Sequence, residues 1–366
     1  MSATQNNLAS VFIIKYVYSI QNTPIQLRIR LYISLFIFSL TVACQNIAIS
    51  QDVVFSQFYN APIQLNAALA GLSNTPTVSV ITRDQWTGWG SQQNPNGGYR
   101  TFAASYDQFF EYANSGIGFQ VLSDNAGDGI ITSNQITGVY AYQLRLKKKF
   151  KARIGLEATV AQQRLDWDQL IFFDQIIVGS ESLLTSQEVR PDVLTTTYVD
   201  FGVGGVLYSD EFYIGLSLKH LNVPDNSFQP GSRSIYAGLP PRLTIHAGWQ
   251  IDLDGYNNEG FGSFFAPSVL LVRQSELSQL NAGGLINRES FFAGAWIRYD
   301  FSNFDAVILS AGWRTDWLKL TYSFDVTLSS ASVLNTRGSH EVSVVMNFGA
   351  FSNPPSRYED CFSIFR

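Results

Sequence analysis

Hydrophobic side chains recur at every second position through most of the chain, the period of a strand with one apolar and one polar face. In RLTIHAGWQID the apolar set is Leu243, Ile245, Ala247, Trp249 and Ile251, and Arg242, Thr244, His246, Gln250 and Asp252 come between. WLKLTYSFDVT sets Leu318, Leu320, Tyr322, Phe324 and Val326 against Lys319, Thr321, Ser323 and Asp325. In FFAGAWIRYD, Phe291, Ala293, Ala295, Ile297 and Tyr299 share a face, with Arg298 and Asp300 opposite. Phe212, Ile214, Leu216 and Leu218 repeat the pattern against Ser217 and Lys219. Candidate strands follow at 76–86, 99–109, 115–123, 130–146, 151–164, 193–208, 211–220, 241–252, 263–273, 276–286, 290–300, 304–313, 316–326 and 338–349. That is about fourteen, within two either way, and an even number suits a bacterial barrel.

A soluble sandwich also alternates, so the chemistry of the faces has to decide. Charged residues occupy strand middles on the polar face (Glu157, Lys219, Arg298, Lys319, Asp325), as expected of a wetted lumen, and aromatic residues gather towards strand ends on the apolar face. The connections FEYANS, KKKF, SDE, NRES and TD are short, whereas 87–98, 165–192, 221–240 and 327–337 are long. Short periplasmic turns facing long outer loops is the rule for outer-membrane barrels, which 253–262 and 274–275 break. The expected fold is all-β, an antiparallel transmembrane β-barrel.

Composition agrees. The 366 residues are 46% hydrophobic and 14% aromatic, but only 14% are charged. Soluble domains carry about 25% charged residues. No stretch reaches the ~18–20 apolar residues of a spanning helix. The net charge of −5 offers no basic footprint, so nucleic acid is not an expected partner.

One stretch escapes the alternation. In FSQFYNAPIQLNAALAG, Asn60 suits an N-cap, Pro62 a first helical turn and Gly71 a C′ position. Leu65, Ala68, Leu69 and Leu72 form one apolar stripe, so the pattern predicts a helix of about ten residues that must bury that face. Preceding the first strand, it is expected to start on the periplasmic side and plug or line that end, with Phe55, Phe58 and Tyr59 leading in.

Upstream, Arg28 and Arg30 precede the apolar run Leu31–Ala43, and Ala48-Ile49-Ser50 offers a cleavage site before Gln51, the layout of a secretory signal peptide. The expected organisation is a leader at 1–50, a plug-like segment at 51–75, a barrel at 76–349 and a tail at 350–366. Cys44 falls in the leader and Cys361 in the tail, so no intrachain disulfide is expected after cleavage. The final candidate strand closes in Phe348, an aromatic terminus common in such barrels, yet a tail follows that either tucks back or displaces that strand.

Catalytic and cofactor chemistry is not visible. His220, His246 and His340 are scattered, no G-x-S-x-G or H-E-x-x-H string occurs, and no metal or cofactor site is expected. Asp124–Gly129, DNAGDG, reads better as a polar hairpin turn than as a calcium loop, because no bidentate Glu follows. KKKFK at 147–151 suits a solvated turn or a docking patch for an acidic partner or for lipid headgroups. Trp167, Phe172 and Phe173 in DWDQLIFFDQ suit either partner recognition by an outer loop or a loop folding into the barrel. On the first two strands, RDQW (Arg83–Trp86) and ASYD (Ala104–Asp107, including Tyr106) lie within reach of one another, and Arg83, Asp84 and Asp107 are expected to form a buried ion cluster.

Several strings in order resemble the PorP/SprF family of outer-membrane proteins associated with type IX secretion. They are FSQFYNAPIQLNAALAG, RDQW, ASYD, GIGFQVLSDNAGDG from Gly116, GLSLKHLNVPDNSF from Gly215, PSVLL from Pro267, AGWRTD from Ala311 and SHEV from Ser339. The resemblance spans Gln51 to Phe348; it departs at Ala67, where the family usually places proline after Asn66, and at Asp128. It implies a non-enzymatic barrel in the outer membrane of Bacteroidota, needed for export or surface attachment of particular cargo proteins. Those cargoes are secreted adhesins bearing a C-terminal domain, notably those of gliding motility. Partners implied are periplasmic peptidoglycan-binding and secretion-motor components, besides outer-membrane lipid. Phe55, Phe58, Tyr59, Leu65, Asn66, Leu69, Arg83, Trp86, Tyr106, Asp107, Trp167, Phe172 and Phe173 are the resulting candidates for plugging or partner binding. A diffusion channel for small or hydrophobic solutes and a lipid-modifying barrel enzyme are the competing functions.

Overall fold

A computed structural model describes residues 52–73, 75–86, 98–147, 150–175, 186–228, 238–253, 262–328, 337–351, 361–362 and 364–365. All lie in one compact unit, Ile49–Arg366. The leader, Lys148 and Lys149 lie outside the described residues.

The wall strands are β1 (Thr77–Gln85), β2 (Tyr99–Phe110), β3 (Ser115–Ala126), β4 (Ile131–Lys147), β5 (Phe150–Leu165), β6 (Thr195–Tyr208), β7 (Phe212–Lys219) and β8 (Arg242–Trp249). They continue as β9 (Ile251–Asp252), β10 (Phe264–Gln274), β11 (Leu277–Arg288), β12 (Phe291–Tyr299), β13 (Phe304–Arg314), β14 (Leu318–Thr327) and β15 (Ser339–Asn347). Every pairing is antiparallel, and neighbours in sequence are neighbours in the sheet. β8 and β9 both pair with β10 and are two pieces of one wall strand, so the barrel has 14 strands. It closes where β1 pairs with β15, with Arg83 opposite Glu341. Closure leaves no edge strand exposed to lipid, the condition for a sheet to span a membrane.

Burial alternates as the sequence pattern demands. Along β5, Arg153, Gly155, Glu157, Thr159, Ala161 and Gln163 face inward and are buried, whereas Ile154, Leu156 and Val160 face outward. The outer face of the other strands is similarly apolar and aromatic, with Ile117, Phe119, Tyr140, Phe201, Ile297 and Tyr322 exposed. The tight turns meet their backbone demands locally. Asn114 takes φ 48° between β2 and β3, and Gly127, Asp128 and Gly129 take φ 63°, 60° and 91° at the DNAGDG hairpin. Glycine and short polar side chains tolerate that left-handed region. This is the polar turn.

The predicted ten-residue helix is shorter and broken. Only Pro62–Leu65, helix α1, is α-helical, flanked by 3-10 turns at Phe58–Asn60 and Ala67–Leu69. The N-cap is Ala61 rather than Asn60. Asn66 breaks the run in extended backbone (φ −161°), and its side chain accepts a hydrogen bond from the Ala68 amide. Gly71 does take a positive φ of 70°.

Candidate functional site: the filled lumen

The inward face of the wall is packed against the chain's own N-terminal segment rather than wetted. Asp52 lies at the long-loop end of the lumen, beside His220 just past β7 and Gln274 at the end of β10. The segment then runs down the barrel to Thr75, which donates to Asn347 Oδ1 at the short-turn end, 2.6 Å away. The helix does lie towards the short-turn end, with Ile63 against Gly118 near the start of β3, but the expectation that the segment starts on that side is corrected. Its beginning sits at the opposite end, because its polar anchors lie there.

Below Asp52 is a buried ion cluster. Arg83 donates to Ser56 Oγ (2.5 Å), to Glu341 (3.0 Å) and to Asp325 (3.1 Å). Arg298 donates to Ser56 Oγ at 2.7 Å and Asp325 at 2.9 Å. Glu341 also accepts the backbone N–H groups of Ser56 and Gln57, at 3.0 and 2.7 Å. Arg83, Asp325 and Glu341 are 3%, 2% and 1% exposed, and Arg298 is also buried, so two cations and two anions neutralise one another out of water. Buried charges are tolerated when paired and hydrogen-bonded in this way.

Farther down, Asn60 donates to Thr321 and Ser343, and Tyr59 stacks on Trp296 at 5.4 Å with its hydroxyl on Ser310. Asn66 Nδ2 reaches the carbonyls of Gly205 and Leu216 and lies 3.0 Å from His246 Nε2. Glycine lets the chain come this close. A Cβ on Gly155 would run into the Ala67 backbone, and one on Gly204 into the Asn66 side chain. At the short-turn end Arg153 donates to the Ala70 and Gly71 carbonyls, and the Gly71 N–H donates to Asp107.

The long-loop end is held electrostatically. His220 lies 2.6 Å from Asp52 and 2.8 Å from Asp200, and Arg242 adds an ion pair to Asp52 at 3.4 Å. Burial alone would pull the His220 imidazolium pKa down, but the flanking carboxylates raise it to about 9. Burial likewise opposes ionisation of Asp52, yet His220 and Arg242 hold its carboxyl well below the usual range. Among the described residues, no cluster of His, Cys, Asp or Glu could hold a metal ion.

A family model described as type IX secretion system membrane protein PorP/SprF matches residues 47–346. The chain belongs to the PorP/SprF family. No curated protein matches it. Among solved structures, it is similar to the Ralstonia pickettii toluene transporter TbuX (10% identity, 78% of this chain and 91% of that one covered, TM-score 0.42). It is also similar to Acinetobacter baumannii Omp33 (9% identity, 75% and 99% covered, TM-score 0.40). A Pseudomonas aeruginosa FadL homologue follows at 11% identity, with 77% and 93% covered and a TM-score of 0.39.

In this PorP/SprF barrel the candidates from the sequence separate into three groups. Phe55, Phe58, Tyr59, Leu65, Asn66 and Leu69 all lie buried in the lumen, joined by Arg83 and Asp107 from the wall. The expected Arg83–Asp84–Asp107 cluster does not form. Asp84 follows Arg83 directly, so it points to the other face and pairs with the exposed Arg100 at 2.7 Å. Asp107 lies at the short-turn end, opposite Thr77, and is served by Gly71 instead. Tyr106 faces outward, and Trp86, at φ 58°, packs edge-on to Tyr99 at 5.5 Å. Trp167 and Phe172 pack together at 4.8 Å in the loop after β5, where Phe173 opens a 3-10 turn and Ile171 is 63% exposed.

Sequence reasoning missed Asp52, Ser56, Gln57, His220, Arg153 and Glu341, which anchor the segment of this PorP/SprF chain. For Arg153 and Glu341 the signal was parity. Arg83, Arg153, Lys319 and Glu341 each occupy an inward position of a strand, where an isolated charge needs a partner. The partner itself lies far along the chain.

Proposed function

We propose that this PorP/SprF protein is a solute-tight, non-enzymatic outer-membrane barrel. It supports type IX export or surface attachment of specific cargo, adhesins bearing a C-terminal domain being the expected class. The leader is cleaved after Ser50. The outer loops, with Trp167, Phe172 and Phe173, meet cargo, and the short-turn end faces the periplasmic peptidoglycan-binding and motor components. The observation that carries this reading is the N-terminal segment in the lumen, fixed by the Arg83–Arg298–Asp325–Glu341 cluster and the Asp52–His220 pair. A diffusion channel needs a wet path, whereas these anchors hold polypeptide where solute would pass. A rigid sealed barrel serves better as a platform than as a pore.

The test is deletion of the gene followed by mass spectrometry of surface-exposed and secreted proteins. The expected outcome is loss of a small set of large proteins from the surface, restored by the wild-type gene but not by a Trp167→Ala/Phe172→Ala variant that still assembles. An unchanged surface proteome would refute the reading.

A further inference from the structure

Beyond Phe351 the described residues are Cys361, Phe362, Ile364 and Phe365, and all four are buried inside the barrel at 1–4% exposure. The tail therefore tucks back, and the last strand keeps its predicted place. Phe362 lies against Tyr208 at the end of β6 (4.8 Å) and stacks on Tyr213 at the start of β7 (5.4 Å). Phe365 meets Tyr213 edge-on at 5.4 Å and Phe362 at 5.9 Å. Lys319 near the start of β14 donates to the Ile364 carbonyl at 2.5 Å, while its Nζ lies over the rings of Tyr59 (5.1 Å) and Phe292 (5.4 Å). These wall residues all sit beside short turns, so the tail occupies the periplasmic mouth. β6 and β7 stand across the sheet order from β15, so Phe362 and Phe365 pack far around the wall from the last strand.

We propose that the periplasmic mouth is a peptide-binding vestibule for an aromatic–aliphatic segment, and that the chain's own C-terminus is its resident ligand. Two features mark a binding site. The aromatic walls accept two rings spaced three residues apart, a geometry a single helical turn supplies. The floor is the buried Lys319 Nζ, and no carboxylate among the described residues pairs with it. Its hydrogen-bond acceptor comes from the occupant's main chain. Emptying the vestibule wets the aromatic faces, so an apolar occupant is favoured whatever its source. Recognition through two rings and a backbone carbonyl is undemanding of sequence. A periplasmic segment of the same chemistry can therefore exchange with the tail. This inference is independent of the cargo reading.

The experiment uses full-length protein in detergent micelles with Cys44→Ser, so that Cys361 is the thiol read. Maleimide labelling of Cys361 reports tail release, and heat-modifiable mobility on gels verifies the folded barrel. The docked tail should protect Cys361, and Phe362→Ala should speed labelling by about tenfold or more, since one aromatic anchor is worth ~1.4 kcal/mol or more. A synthetic peptide of residues 358–366 with serine at 361 should speed labelling saturably, where a scrambled peptide does not. The same peptide carrying a fluorophore should bind a Phe362→Ala/Phe365→Ala barrel, and bind it more weakly when Lys319→Met is added. Labelling as fast as in denatured protein would overturn the docked tail. Protection that the peptide cannot relieve, with no peptide binding to the double variant, would make the tail a fixed plug and overturn the exchange.

Discussion

Replacing Arg83 by alanine is the sharpest perturbation of the segment's anchorage. The guanidinium makes two carboxylate contacts, at 3.0 and 3.1 Å, and one to Ser56, at 2.5 Å, all from a site 3% exposed. Its removal leaves Asp325 with Arg298 and strips Glu341 of its cation, one buried negative charge in excess. Breaking a buried pair from one side costs ~3–5 kcal/mol, because the orphaned charge loses its compensation. The adjacent outward residue supplies the control. The Arg100 and Asp84 side chains are 68% and 37% exposed, so Arg100→Ala should cost about 0–1 kcal/mol. Urea titration of the barrel in detergent, followed by tryptophan fluorescence and heat-modifiable mobility, measures both. Adding Glu341→Gln to Arg83→Ala restores charge balance around Arg298 and Asp325 and should recover part of the loss. An Arg83→Ala midpoint within ~1 kcal/mol of wild type would refute the cluster as the anchor.

Three further outcomes follow from the same packing. His220 contributes stability that is complete below pH 6.5 and fades as pH rises through about 9, a difference worth ~3 kcal/mol. Urea midpoints at pH 6 and pH 10 should differ accordingly, and His220→Gln should flatten the alkaline loss; an equal slope in the variant would remove His220 as its source. Gly155→Val drives a side chain into the Ala67 backbone and should destabilise the barrel by ~1–3 kcal/mol or more in the same titration, whereas Gly138→Val, with open space at its Cβ, should cost far less. Leu65→Asp/Leu69→Asp buries two carboxylates without partners and should abolish the heat-modifiable form. Barrels that still assemble but fail to display cargo would instead assign that stripe to docking.

The wall was legible because its signal is local. Lipid outside and packed lumen inside impose a period of two on each strand separately, so all fourteen candidates coincide with wall strands to within a few residues. The same period contained a warning against grouping Arg83 with Asp84, since neighbours in a strand oppose one another. The segment inside the lumen was less legible, because its conformation is set from outside. Helix periodicity over 60–71 is real, but Asn66 leaves the helix to reach Gly205, Leu216 and His246, and those contacts outweigh a marginal helix. Its direction depends on Asp52 meeting His220 and on Ser56 meeting Glu341, pairs that no local pattern connects. Arg83 and Glu341 face each other only because the first and last strands close the barrel.

Planar-bilayer conductance of the purified barrel tests the sealed lumen most directly. The wild-type protein should insert and remain electrically silent, and deleting residues 52–73 should produce discrete conducting steps. A steady open conductance from the intact, folded wild-type barrel would contradict the account.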